Sequence, residues 1–79
     1  MAVITLVSNK TLKVHGKDLR LARYNKGLSL LIVCQLMDKK GYCYYPMKLY
    51  RLEHLYSITF PVQEVLDLLE CLSAAYAIT

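Results

Sequence analysis

A chain of 79 residues has room for one domain and not two, and one this short buries only about 60% of the surface that its unfolded form exposes. Its apolar share of 56% is more than a monomer of that size hides readily, which favours a homodimer or a protein partner. The formal charge is +4, which attracts polyanions and equally an acidic protein partner.

The charge is unevenly placed. Residues 1–60 hold all ten Lys and Arg against Asp18, Asp38 and Glu53, a balance of +7, whereas residues 61–79 hold Glu64, Asp67 and Glu70 and no base, a balance of −3. The N-terminal stretch has no charged region ahead of its apolar residues, and the run Leu28 to Met37 is about half the length needed to cross a bilayer. Cys34, Cys43 and Cys71 are odd in number and form no CxxC pair, which reads as buried reduced thiols in a cytoplasmic protein.

Turn-forming clusters recur along the first half: Ser8-Asn9-Lys10, His15-Gly16-Lys17-Asp18, Asn25-Lys26-Gly27 and Asp38-Lys39-Lys40-Gly41. Asn and Gly accept positive φ and Asp bonds to nearby amides, so each cluster can reverse an extended chain. Between them lie segments of strand length, residues 2–7, 11–15, 18–24, 28–37 and 42–50, rich in Val, Ile, Leu and Tyr. Thr11 to His15 and Asp18 to Leu21 alternate polar with apolar, as strands with one wet face do. In Leu28 to Met37 both parities are apolar, which places that segment at the centre of the sheet.

Residues 47–56 fit either a continuing strand or a short helix begun by Pro46, with Leu49, Leu52 and Leu55 on one face; the strand is carried to about residue 50. After the extended piece Ser57 to Phe60, Pro61 suits the first turn of a helix. Val62, Val65, Leu66, Leu69, Leu72 and Tyr76 then recur at spacings of three and four. The expected fold is α+β: an antiparallel β-meander of four to five strands over a single domain, 1–79, followed by one C-terminal amphipathic helix.

Thirteen residues from Lys39 to Arg51 contain four bases, four tyrosines and no acid. Lys39, Lys40, Lys48 and Arg51 can neutralise phosphates, while Tyr42, Tyr44 and Tyr50 can stack on unpaired bases, the combination by which many proteins hold single strands. In strand geometry Tyr42, Tyr44, Tyr50 and Lys48 share one face. A second basic group, Lys10, Lys13, Lys17, Arg20, Arg23 and Lys26, is spread over the early strands and turns, where it extends a positive track or protects sheet edges. His15, His54 and the three cysteines do not occur at metal-ligand spacing, so no metal and no cofactor is expected. Gly16, Gly27 and Gly41 fall in turns rather than in a phosphate-cradling loop, and the acids do not cluster in a cleft, which argues against an enzyme.

The layout of strands, then Ile58-Thr59-Phe60-Pro61, then one amphipathic helix, with the charged hairpin tip Asp38-Lys39-Lys40-Gly41, resembles the PC4-like transcriptional coactivator domain over residues 10–76. That resemblance implies a homodimer built through the C-terminal helices, with basic sheets that bind single-stranded DNA, and it makes Lys39, Lys40 and Lys48 phosphate contacts. The functional expectation is a non-enzymatic, dimeric, single-stranded nucleic-acid-binding protein with a regulatory role. The alternative is a protein-interaction module, such as a small phage or mobile-element inhibitor of anti-CRISPR or anti-restriction type, that binds a host protein through Tyr- and Arg-rich hot spots.

Overall fold

Alternating residues at the start of the chain form the expected hairpin. In the computed structural model, which describes residues 2–78, β1 (Ala2–Leu6) pairs antiparallel with β2 (Thr11–Val14), Ile4 opposite Val14 and Leu6 opposite Leu12. The next three segments of strand length are not strands. They give α1 (Gly16–Lys26), α2 (Leu30–Lys39) and, after an irregular stretch over 42–45, α3 (Pro46–Glu53). The chain then forms β3 (Ile58–Pro61), α4 (Val62–Leu72) and β4 (Tyr76–Ile78).

The expected meander with one helix is therefore overturned, and the reasons are local. Four residues of alternation from Asp18 to Leu21 are too few to separate a strand from a helix. In α1 they put Leu19 inside and Leu21 outside, with Gly16, Leu19 and Arg23 buried along one stripe. Gly27, at φ 69°, ends the helix in the left-handed conformation and donates its N–H to the Tyr24 carbonyl, a role that glycine fills without steric cost. Ser29 starts α2 by accepting the Ile32 N–H on its hydroxyl at 3.2 Å. The run that looked buried on both faces is a half-buried helix: Val33, Cys34 and Met37 point inward, whereas Leu31 is 53% and Ile32 41% exposed. Pro46 sits in the first turn of α3, where no amide hydrogen is needed.

The sheet has the order β3-β2-β1-β4. β3 pairs antiparallel with β2, Phe60 opposite Leu12, and β4 pairs parallel with β1, Val3 opposite Ala77. α4 thus carries the chain from one edge of a mixed sheet to the other. Ile4, Leu12, Val14 and Phe60 lie on the sheet face that is buried, while Thr5, Lys13 and Thr59 on the opposite face are not. Helix α4 begins where it was expected, with Pro61 as its N-cap rather than in its first turn, but it ends at Leu72, and Tyr76, assigned to its apolar stripe, belongs to β4. Its residues Val65, Leu68, Leu69 and Leu72 are sealed within the chain, packed towards β2, β3, α1 and α2. The apolar stripe assigned to a subunit interface is thus occupied internally, and the layout that carried the resemblance to the coactivator domain is not the layout of this chain.

Two contacts fix α1 against α3. Gly16 lies so close to α3 that a Cβ there would strike the carbonyl oxygens of Leu52 and Leu55 and come within 2.9 Å of the Glu53 carbonyl carbon. Seven residues on, Arg23 forms a buried, two-pronged pair with Glu53, Nε to Oε2 at 2.7 Å and Nη2 to Oε1 at 2.9 Å. Its remaining nitrogen, Nη1, donates to the Leu28 carbonyl at 3.0 Å.

Candidate functional site

The residues expected to bind nucleic acid separate into two groups. Because 46–53 is helical, the shared strand face of Tyr42, Tyr44, Tyr50 and Lys48 does not form. Tyr42 and Tyr44 turn instead towards α4. Tyr42 donates its hydroxyl to Asp67 at 2.7 Å and Tyr44 donates to Glu64 at 2.5 Å. Tyr44 is only 8% exposed, and Lys48 lies over its ring at 4.4 Å while donating to the Cys43 carbonyl. A base has no free face of Tyr44 on which to stack.

The electrostatics of this corner follow from those bonds. Its hydrogen bond to Asp67 pushes the Tyr42 hydroxyl up to about 12, and burial, reinforced by Glu64, pushes Tyr44 up as well. The same Tyr42 bond, helped by Gln63, holds the Asp67 carboxyl below its ordinary range. Lys40 is taken up by Glu70 at 3.2 Å, and that hydrogen bond raises its pKa. Lys39 stays exposed with no carboxylate partner among the described residues.

Tyr50 and Arg51, by contrast, lie on the exposed side of α3. The Tyr50 ring is 4.2 Å from the ring of His54, whose Nδ1 donates to the Tyr50 carbonyl at 2.8 Å. Where α3 ends against the start of α1, an open concavity of about 530 Å³ is lined by His15, Lys17, Arg20, His54, Leu55 and Tyr56, with Asp18 and Glu53 in the wall. His15 mirrors His54: its Nδ1 donates to the Tyr56 carbonyl at 2.9 Å and its ring meets the Tyr56 ring edge-on at 5.1 Å. A carbonyl oxygen only accepts, so each imidazole carries its proton on Nδ1.

Lys17 and Arg20 have no carboxylate partner among the described residues, and Tyr56 is 86% exposed. Tyr24, exposed on the same helix, follows Lys17 and Arg20 at a spacing of three and four. Lys17 and Arg20 were expected in a basic track over strands and turns, so their grouping on one helix beside Tyr56 was missed. Helical spacing is the signal that unites them.

No constellation for metal or thiol chemistry forms among the described residues: none brings three His, Cys, Asp or Glu together. Of the three free thiols Cys34 is buried, Cys71 partly so, beside the Met37 sulfur at 3.6 Å, and Cys43 is exposed rather than buried as expected. The concavity with the two histidines has no cysteine in its lining. No helix among the described residues is long and apolar enough to cross a membrane. Compared with models of known families, with curated proteins and with solved structures, the chain matches none.

Proposed function

We propose that the protein binds single-stranded nucleic acid, without transforming it, on the surface where α1 meets α3. The observation that carries this reading is the unpaired pair Lys17 and Arg20 beside the exposed ring of Tyr56, in one concavity whose His54 meets the ring of Tyr50 on α3. Cations neutralise the backbone and release its counterions, and an exposed ring offers any base a stacking face, so binding of this kind needs no sequence readout. Three free thiols fit a cytoplasmic setting. A homodimer would present two such surfaces and raise affinity for a strand that spans both. The test is fluorescence anisotropy of a labelled single-stranded oligonucleotide: binding weakens steeply with salt, and Lys17→Ala with Arg20→Ala removes most of it. Absence of binding at low salt overturns the proposal.

A second reading, a small inhibitor that docks on a host protein, draws on Leu31 and Ile32, consecutive large apolar residues exposed on α2. A stoichiometric protein captured from nuclease-treated host lysate, and lost on Leu31→Lys, supports it.

A further inference from the structure

We infer that the concavity between α1 and α3 takes the phosphorylated end of a strand, one terminal nucleotide, rather than internal backbone. This deepens the nucleic-acid reading and rests on it. The open space, about 530 Å³, is of the volume of a small-molecule site and has room for one nucleotide. Its walls come from two short segments, 15–20 and 53–56, clamped together where Gly16 meets the Leu52 and Leu55 carbonyls.

Charge selects the group. Of the two carboxylates in the wall, Glu53 is neutralised by Arg23 through both oxygens, whereas Asp18 accepts the neutral Val3 N–H at 3.2 Å and keeps its charge. Lys17 and Arg20 together outweigh Asp18 and leave the wall positive. A phosphomonoester carries close to two negative charges near neutral pH, whereas an internal diester carries one. A net positive wall therefore attracts the doubly charged end of a strand more strongly than its singly charged middle.

Hydrogen bonding supplies the rest of the nucleotide's needs. With Nδ1 of His15 and His54 committed to carbonyls, each ring leaves Nε2 for the nucleotide, an acceptor in the neutral imidazole and a donor in the imidazolium. Tyr56, steadied by His15 behind it, offers the stacking face.

The experiment measures the affinity of one oligonucleotide bearing a phosphate at its 5′ end, at its 3′ end or at neither, with a free nucleoside monophosphate as competitor. One phosphorylated form is expected to bind tighter by roughly tenfold, the scale of an added charge-assisted hydrogen bond. The monophosphate competes, and Arg20→Ala erases the difference between the forms, with thermal melts confirming that the variant folds. Equal affinity for all three forms without competition overturns the inference and leaves the nucleic-acid reading standing. If no oligonucleotide binds, that reading falls. Titration with the monophosphate, followed through the His15 and His54 ring resonances, then decides the pocket alone: shifts uphold it and their absence overturns it.

Discussion

Arg23 of α1 grips Glu53 of α3 through both carboxylate oxygens, with side chains 10% and 2% exposed, so the two helices that border the candidate site are joined by a buried ion pair. Removing one partner leaves the other charge buried without compensation. Arg23→Ala or Glu53→Ala is expected to cost about 3–5 kcal/mol. The double variant Arg23→Met, Glu53→Leu is expected to cost much less than the sum of the single changes. Urea unfolding of the two single variants and the double variant checks this, and additive losses would sink the account.

Gly16 and Gly41 differ in what limits them. At Gly16 a methyl group meets backbone oxygens that cannot move without shifting α3, an overpacking that costs about 1–3 kcal/mol or more. At Gly41 nothing lies within 4 Å and only its positive φ of 95° resists a side chain, a penalty of about 1–2 kcal/mol. Thermal melts are expected to rank Gly16→Ala below Gly41→Ala. Only the former should also weaken oligonucleotide binding, because it moves the walls of the concavity.

Stability should fall at both ends of the pH range through the single bond between Tyr42 and Asp67. The hydroxyl is raised from 10 to about 12 in the folded chain, so its contribution is whole below pH 10 and disappears as pH climbs towards 12. The carboxyl is lowered from 3.8, so its contribution is whole above that value and is lost as pH drops below it. Tyr42→Phe should flatten both limbs in denaturation curves recorded across pH. A variant that keeps both limbs at full height would show that other groups set them.

Tyr56→Ala is expected to weaken binding of a single strand by about 1–3 kcal/mol, the usual worth of one stacked base, with little change in stability because the ring is almost wholly exposed. Lys17→Ala should lower the slope of log affinity against log salt by about one. Tyr44→Phe is expected to do the reverse of Tyr56→Ala, sparing affinity and lowering the melting temperature, since its hydroxyl serves Glu64. Loss of binding on Tyr44→Phe with Tyr56→Ala silent would return the site to the tyrosine-rich segment.

The helix after Pro61 was legible because Val65, Leu69 and Leu72 hold one period over several turns, and the hairpin of β1 and β2 because the turn cluster Ser8-Asn9-Lys10 joins two segments rich in Val, Ile, Leu and Thr. The middle of the chain was not. Gly27 correctly marked the end of an element, but a helix ending in a left-handed glycine and a strand ending in a turn carry the same letter. Ser29 read as part of a strand although it was the cap of α2. The tyrosine-rich segment drew attention by composition, yet composition does not show that Tyr42 and Tyr44 have carboxylates waiting on α4, some twenty residues later in the chain. Tyr56 was hidden for a simpler reason, lying in the stretch 47–56 whose form was ambiguous between strand and helix.

The parallel pairing of β4 with β1 sets an order on assembly. On the ribosome, β2 can close on β1 as soon as both have emerged, but the other side of β1 must wait until residues 76–78 are made. Until those residues emerge the nascent hairpin therefore displays an open row of amides and carbonyls beside Val3 and Ile4, a template for stray pairing that β4 removes when it docks.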